Sequence, residues 1–183
     1  MNKEAQNSFS FYNEIAELLS TANDANSISD ALYKIIDGFI DVPHSALFLW
    51  DPQSAKLKIF GSTGFTASEK IEVERTAFER HPGWVFKNQK TLNIPDMEAE
   101  GIPSFVSSSK RSFKVKSRLW VPITTSSRSL GAFGFASQEK SYFTDEHVNA
   151  LNFACRLAGN VYSNIIFLKS EKDYLKNIML SYK

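Results

Sequence analysis

The sequence has a single cysteine, Cys155, and no long apolar run. One cysteine forms no internal disulfide and supplies too few thiolates for a structural zinc site or an iron–sulfur cluster. The first residues lack the apolar stretch of a signal peptide, and no later run reaches the roughly 18 apolar residues that cross a bilayer. These absences predict a cytoplasmic protein with no membrane contact in this segment.

An excess of charge of either sign is also absent. The 21 Lys and Arg residues nearly cancel the 20 Asp and Glu residues, for a net charge of +1. A nucleic-acid-binding domain usually carries a strong basic excess, so we expect no nucleic-acid partner. Length and composition are ordinary, with 183 residues, 43% hydrophobic and 22% charged, and predict one globular domain.

The common catalytic motifs are missing. The sequence has no phosphate-binding P-loop, no G-x-S-x-G motif and no H-E-x-x-H motif. Its three histidines, His44, His81 and His147, have no metal-ligand spacing, and we interpret them as exposed or capping residues. We therefore predict no catalytic residue, no metal site and no identifiable cofactor.

Two helices are predicted at the start of the chain. Apolar residues from Tyr12 to Ala22 recur at three- and four-residue spacings, which predicts an amphipathic helix within residues 1–24. Ser27 followed by Asp30 resembles a capping box, so a second helix is expected to begin there and to end before Pro43.

Two hairpins are predicted, each with a polar turn between strand-favouring runs. The first joins Ser45–Trp50 to Lys56–Gly61, and the second joins Ser117–Thr124 to Ser129–Ser137. The second pair is almost continuously apolar, which predicts central strands covered on both faces. Between the hairpins, Thr66 and Glu69 form a capping box for a third helix.

That third helix is expected to end at His81-Pro82-Gly83, and a short helical turn follows it. Residues 92–117 then form the longest segment without a clear pattern. Long irregular segments inside compact domains are often lids or binding loops, so this one is interpreted as a lid.

The last helix has the clearest start signal. Thr144 is placed as N-cap, with Asp145 and Glu146 in the first turn. Apolar residues then alternate spacings of three and four to the end of the chain, as in a coiled coil. The members of this seam, interrupted by one lysine, are Leu151, Ala154, Ala158, Val161, Ile165, Leu168, Lys172, Leu175, Met179 and Tyr182.

The chain resembles the GAF domains, small-molecule sensory modules of bacterial signalling proteins. The residues that carry the resemblance are Pro82-Gly83-Trp84-Val85, Asn93-Ile94-Pro95-Asp96, Leu119-Trp120-Val121-Pro122-Ile123, Leu130-Gly131-Ala132-Phe133-Gly134-Phe135 and Phe143-Thr144-Asp145-Glu146. The resemblance implies an α+β fold with a central antiparallel sheet of five or six strands. The terminal helices would pack on one face, and a ligand pocket under the irregular lid would lie on the other. It divides the chain into an N-terminal helix (1–24), a GAF-like domain (25–166) and a C-terminal signalling or coiled-coil helix (167–183).

Known activities of GAF proteins fit this sequence poorly. The methionine sulfoxide reductases with this fold need a second cysteine to resolve the oxidised thiol, and this chain has only Cys155. Cys155 also lies outside the lid-side region where the phytochrome relatives attach a bilin. The Asn-Lys pair of the cyclic-nucleotide-binding members is missing between Ser137 and Glu146. We therefore expect a regulatory domain and not an enzyme.

The near-neutral total conceals a basic segment. No Asp or Glu lies between Gly101 and Gln138, whereas six Lys and Arg residues do: Lys110, Arg111, Lys114, Lys116, Arg118 and Arg128. The segment is either a clamp for an anionic ligand, a surface for an acidic partner or nucleic acid, or a solvated loop. The candidate ligand-binding residues are Trp84, Phe105, Lys116, Arg118, Trp120, Phe133 and Phe135.

Two functions remain open. In the first, a small-molecule ligand changes the state of the C-terminal helix, which forms a homodimer with the N-terminal helix alongside and acts on an effector C-terminal to this segment. A histidine kinase of a two-component system, a diguanylate cyclase or an activator ATPase would fit. The candidate signalling residues are Val161, Ile165, Leu168, Leu175 and Met179. In the second, the pocket is filled by Phe and Trp, and the domain is a ligand-free dimerisation module.

Overall fold

The computed structural model describes residues 3–37, 39–99 and 114–181. Five α-helices are present in these ranges: α1 (Lys3–Ser20), α2 (Ala25–Ile36), α3 (Ala67–Arg75), α4 (His81–Asn88) and α5 (Asp145–Ser181). A single 3-10 turn, Ala77–Glu79, separates α3 from α4. The strands are β1 (His44–Asp51), β2 (Lys56–Thr63), β3 (Leu92–Ile94), β4 (Ser117–Thr124) and β5 (Ser129–Ser137).

The five strands form one antiparallel sheet in the order β2-β1-β5-β4-β3. Strand β5 lies at the centre, where Phe135 pairs with Ser45 of β1 on one side and with Leu119 of β4 on the other. Both predicted hairpins are present, with the strand bounds of the second hairpin as expected. The α+β fold predicted from the resemblance is confirmed.

One face of the sheet is covered by α1, α2 and α5. Side chains from these helices and from alternate strand positions form the larger core, which includes Ile15, Leu32, Leu47, Val121 and Leu151. Helix α5 has 37 residues and is therefore about 55 Å long, longer than the sheet that it packs against. No helix within the described ranges is both long and apolar enough to cross a bilayer.

The opposite face of the sheet is covered by α3, the 3-10 turn and α4. A smaller core lies there, built from Ala46 and Phe48 of β1, Leu57 of β2 and Ala77. Partly buried aromatic residues surround it, namely Trp50, Phe65, Phe78, Phe86 and Trp120. The sheet thus separates a helical layer from an aromatic layer.

The local signals for the ends of α2, α3 and α4 differ in how well they predict the structure. The Thr66–Glu69 capping box is confirmed. The cap of α2 is Asp24, which accepts from Ser27 N–H at 2.7 Å, so Ser27 is the third helical residue and not the cap. His81-Pro82-Gly83 begins α4, because proline fits the first turn of a helix as well as the end of one.

The predicted lid is only partly described. Its first residues form β3, which the sequence analysis missed. The segment then continues to residue 99, and residues 100–113 lie outside the described ranges. Its two described flanks are joined by the hydrogen bond from Met97 N–H to the Lys116 carbonyl at 2.9 Å and by the ion pair of Lys114 with Glu98. Lys140, which follows β5, forms ion pairs with Asp96 and Glu98 of the first flank.

Candidate functional site

Strand β4 divides its side chains between the two layers. Leu119 and Val121 point into the larger core under α1, α2 and α5, referred to below as the helical core, whereas Trp120 joins the aromatic layer. Arg118 shares the face of Trp120, because successive side chains of a strand alternate between faces. This alternation brings Arg118 and Trp120, the two predicted ligand-binding residues of β4, to the same side of the sheet as α4.

The position of Trp120 depends on a glycine in the neighbouring strand. Gly134 pairs with Trp120 across β4 and β5. A Cβ built on Gly134 would lie 2.4–2.5 Å from atoms of the Trp120 ring. The missing side chain therefore leaves the space in which the indole ring lies against the sheet.

Helix α4 brings a histidine to Arg118. His81 begins the helix and is 3% exposed. Its Nδ1 lies 3.3 Å from Nη1 of Arg118. A guanidinium group only donates, so Nδ1 of His81 accepts in this hydrogen bond and the ring proton is carried on Nε2. The expectation that His81 is exposed or a capping residue is corrected, as it is for His44, which is 8% exposed.

Further N–H donors are buried beside this pair. The indole Nε1 of Trp120 and the Nε of Arg80 are buried and have no hydrogen-bond partner among the residues that the structure describes. Arg80 precedes His81, and its Nη2 lies 4.0 Å from the Glu72 carboxylate. Arg80, His81, Arg118 and Trp120 are referred to below as the donor cluster.

A small cavity lies beside two members of the donor cluster, Arg118 and Trp120. Its volume is about 30 Å³, and it lies between β1, β4 and β5 on the α4 side of the sheet. The described residues that line it are His44, Ser45, Ala46, Phe65, Arg118, Trp120, Gly134, Phe135 and Ala136. By the same measure a single water needs roughly 10–15 Å³, so the cavity holds about two waters or one compact chemical group.

The rest of the aromatic layer is packed. Trp50 stacks on Phe86 with ring centroids 5.3 Å apart, and Phe78 meets both rings edge-on at 5.6–5.7 Å. Phe48 lies 5.9 Å from Trp120 and links this cluster to the cavity. Aromatic side chains thus fill the half of the face near β2, and polar donors occupy the half near β4.

The predicted ligand-binding residues fall into three groups. Arg118 and Trp120 meet at the cavity. Trp84 is partly buried on α4, Lys116 is exposed just before β4, and Phe105 lies outside the described residues. Phe133 packs in the helical core and is not among the described residues that line the cavity, which corrects the expectation for its ring. Phe135 packs in the same core and also lines the cavity. Their neighbours Ala132, Gly134 and Ala136 face the aromatic layer instead, because β5 alternates.

Two members of the donor cluster, Arg80 and His81, were not predicted from the sequence. One signal was available, since proline after His81 is typical of a helix start, which places the residues before it at a helix N-terminus. The pairing of His81 with Arg118 had no sequence signal, because 37 residues separate them.

The basic segment is not one uniform surface. Lys114 forms an ion pair with Glu98, and Nη2 of Arg128 donates to Ser163 Oγ of α5 at 2.6 Å. Lys110 and Arg111 lie outside the described residues. Of the four described cations in the segment, Arg118 alone belongs to the donor cluster.

The predicted seam of α5 also divides in two. Leu151, Ala154 and Ala158 are buried against the protein's own sheet, and Val161 and Ile165 pack at the edge of the same core. Leu168, Leu175 and Met179 are 57–71% exposed. Phe167, Tyr174 and Leu180 are exposed on the same stretch. From residue 167 onwards, α5 presents apolar side chains that the described part of the chain does not cover.

A hydrogen bond joins α5 to the strand residue whose ring lies in the aromatic layer. The Tyr162 hydroxyl on α5 donates to the Trp50 carbonyl at 2.8 Å, while the Trp50 ring stacks in the aromatic layer. Tyr162 is 6% exposed, and burial is the main cause that raises its pKa to about 12. The residue at the end of β1 therefore contacts both α5 and the aromatic side of the sheet.

Cys155 lies on α5 in the helical core, on the face away from the donor cluster. It is completely buried, and this burial raises the pKa of its thiol. Within the described ranges, no three His, Cys, Asp or Glu side chains are grouped as a metal site requires. The structure therefore offers no reactive thiol in the described part of the molecule.

Solved structures with this architecture include domains of bacterial signalling proteins and an enzyme. The GAF domain of a phosphoenolpyruvate-protein phosphotransferase from Coxiella burnetii is 16% identical, with a TM-score of 0.70 over 92% of this chain and 98% of that one. A domain described as from a putative two-component sensor histidine kinase of Sinorhizobium meliloti is 13% identical, with a TM-score of 0.64 over 82% and 99%. Free methionine-R-sulfoxide reductase from Neisseria meningitidis is 16% identical, with a TM-score of 0.67 over 89% and 92%.

At these identities, the similarity establishes the fold alone. The sequence has no significant match among curated proteins. Residues 24–162 match the GAF domain family. This range includes the sheet, the aromatic layer, α2 and the part of α5 that packs on the domain. The chain belongs to the GAF domain family.

Proposed function

We propose that this chain is a non-catalytic, cytoplasmic sensory domain that binds a small molecule at the donor cluster. Ligand occupancy changes the position of α5, and α5 transmits that change to an effector. The observation that carries the proposal is the continuation of α5 past the domain with exposed apolar side chains. An isolated helical segment of about 15 residues is marginal in water, so this stretch gains stability from a partner helix.

The proposed partner is a second copy of the chain, with α1 lying beside α5. Tyr12 of α1 contacts Phe153 of α5 with ring centroids 4.7 Å apart, so the two terminal helices are already neighbours within one protomer. The effector would be a histidine kinase, a diguanylate cyclase or a similar output domain. Relay requires two arrangements of one connected element, and the Tyr162–Trp50 hydrogen bond connects α5 to the aromatic layer.

The homodimer is tested by sedimentation equilibrium at tens of micromolar protein. Leu175→Lys places a charge in the exposed apolar stretch, and Asn177→Lys places the same charge two residues away, on a different helix face. We expect a dimer for the wild type and for Asn177→Lys, and a monomer for Leu175→Lys and for a chain lacking residues 169–183. A wild-type monomer, or equal dimerisation of both lysine variants, contradicts the proposed interface.

Ligand binding is tested by native mass spectrometry of the protein purified from its own host. The proposal expects a bound small molecule whose mass disappears on mild activation. The alternative is a ligand-free dimerisation module, and the packed rings of Trp50, Phe78 and Phe86 favour it. A dimer without a bound molecule under all purification conditions supports this alternative and contradicts sensing.

A further inference from the structure

We infer that the outer edge of the sheet docks a segment of another protein, one that carries large apolar side chains flanked by Asp or Glu. The docking surface is a groove between α3 and β2, the edge strand of the sheet. The groove shares no residue with the donor cluster or with α5, so this surface does not depend on the proposed sensory function.

The groove is open because α3 lies against β2 without burying any of its own residues. Its volume is about 650 Å³, within the range of about 300–1,000 Å³ that binding clefts have. The apolar residues that line it come from β2, α3 and the 3-10 turn and are Leu57, Ile59, Phe60, Ile71 and Phe78. The edge of the sheet therefore has an apolar depression that a partner side chain can enter.

Ile71 is the strongest sign that this depression is covered by a partner. Its exposed fraction is 73%, and within the described ranges it is the only large apolar side chain outside α5 that is exposed. A single exposed apolar residue is common on protein surfaces. Ile71, however, borders the groove whose floor includes Leu57 and Phe78. A side chain that entered the groove would bury all three together.

The two walls of the groove are joined by a hydrogen bond. The Ile59 N–H of β2 donates to Oε2 of Glu74 on α3 at 2.8 Å. This bond occupies a backbone donor at the edge of the sheet, where an additional strand would otherwise pair. The partner is therefore expected to bind through its side chains and not as a sixth strand. Because the walls are already held together, little ordering is needed on docking.

The charges around the groove select an acidic partner. Three cations, Lys56, Lys70 and Arg75, and one carboxylate, Glu74, line it. Arg75 is paired with Glu72 at 2.9 Å, and Glu74 accepts the hydrogen bond from β2. Lys56 and Lys70 are exposed, and neither forms an ion pair with a residue that the structure describes. Two positive charges therefore flank the apolar floor, and carboxylates complement them.

The same charges argue against a second copy of this chain. If two copies met groove to groove, the interface would use the same patch on both, so the lysines would face like charges. The exposed stretch of α5 from residue 167 to 181 has three lysines and two carboxylates, so it is also net positive. The apolar floor favours a protein segment over a nucleic acid, which binds mainly through its phosphates.

The test measures fluorescence anisotropy of a labelled synthetic peptide at low ionic strength. In this peptide, a core of leucine and phenylalanine is flanked on each side by two glutamates. One control peptide has lysines in place of the glutamates, and the other has serines in place of the apolar core. We expect the full chain to bind the first peptide saturably and to bind both control peptides at least about tenfold more weakly.

Variants in matched pairs locate the binding site. Lys70→Glu is expected to weaken peptide binding about fivefold or more, whereas Lys90→Glu, at an exposed position between α4 and β3, should leave the affinity unchanged. Ile71→Ser is expected to weaken binding about tenfold or more. Leu175→Ser is its control, because Leu175 is also exposed and lies on α5. Since Ile71 is exposed, Ile71→Ser should keep the melting temperature of the wild type within about 2 °C.

The other occupants of the groove each give a distinct result. Absence of binding, equal affinity for the acidic and basic peptides, or equal effects within either pair of variants overturns the docking site. A melting temperature of Ile71→Ser lowered by more than this margin shows that α3 closes over the groove, and overturns it too. So does a dimer that Leu175→Lys retains and Ile71→Ser loses, or displacement of the peptide by a thymidine oligonucleotide. Peptide binding lost in Ile71→Ser and Lys70→Glu alone supports the site, even where the sensory function fails its own tests.

Discussion

Substitution of Gly159 by alanine sets two effects of opposite sign against each other. Gly159 lies in the middle of α5, where glycine is about 1 kcal/mol less favourable than alanine in a helix. Helix propensity alone therefore predicts that Gly159→Ala stabilises the protein. The packing of α5 against β4 predicts the reverse, because Gly159 is buried at that contact.

The contact distances decide which effect is larger. A Cβ built on Gly159 would lie 2.5 Å from the carbonyl oxygen of Thr124, whereas ordinary contact begins at 3.4 Å, so the helix would have to move by 3.4 − 2.5 = 0.9 Å. The other two nearest atoms, at 2.8 and 2.9 Å, also belong to the Thr124 backbone, so no side-chain rotation relieves the clash. Overpacking costs typically about 1–3 kcal/mol, and a clash with backbone belongs in the upper part of that range. We expect a net loss of about 1–2 kcal/mol.

The assay is urea unfolding followed by far-ultraviolet circular dichroism, with Asn160→Ala as the matched control. Asn160 is the next residue of the helix and is exposed, so its substitution changes helix propensity alone and should stabilise by roughly 0.5 kcal/mol. For a domain of this size, the expected loss in Gly159→Ala corresponds to a melting temperature lower by about 2–8 °C. If Gly159→Ala were as stabilising as Asn160→Ala, the close approach of α5 to β4 would be refuted.

Three further predictions follow from individual contacts. Hydrogen bonds from Lys58 first and Ser54 second hold the pKa of Asp51 at about 2, below its ordinary value of 3.8. The ionised Asp51 side chain therefore adds fully to the unfolding free energy above pH 4, and this contribution is lost as the pH falls from 4 to 2. The unfolding free energy of Asp51→Asn should accordingly depend less on pH in this range than that of the wild type. Cys155 should react with a thiol reagent only at the rate of opening of the core, because the thiol is buried and its pKa is raised; rapid stoichiometric labelling of native protein would contradict its position. Tyr162→Phe should lower the unfolding free energy by about 1 kcal/mol through loss of the hydrogen bond to Trp50, whereas Tyr174→Phe, on the exposed stretch of α5, should leave it unchanged; equal effects would argue against that bond.

The architecture was accessible from the sequence because its signals are local. Each hairpin has a turn between two strand-forming runs, and α5 begins at Thr144, whose Oγ1 accepts from His147 N–H as a helix cap should. Strand β3 was missed because three residues carry no periodicity. The cap of α2 was misplaced by three residues, because Asp24 and Ser27 both have capping side chains and bond to each other.

The candidate site was predicted less well, because face assignment depends on partners distant in sequence. In β5, large and small apolar residues alternate, and aromatic size suggested that Phe133 and Phe135 line the pocket. The structure places the small residues on that side, where they leave room for Trp120. The seam of α5 shows a related ambiguity, since a heptad pattern is the same whether a residue packs on its own sheet, like Leu151, or on another helix.

The separation of the molecule into two layers has an optical consequence. The three tryptophans belong to β1, α4 and β4, and none lies in α1, α2 or α5. Tryptophan emission therefore reports on the aromatic side of the sheet, while far-ultraviolet dichroism is dominated by the long helices on the other. Coincident unfolding transitions by these two signals would indicate that both layers open as one cooperative unit. An emission transition at a lower denaturant concentration than the dichroism transition would indicate that the layer holding Arg118 and Trp120 opens while the helical layer stays folded. The two signals from a single sample therefore report on the two sides of the sheet independently.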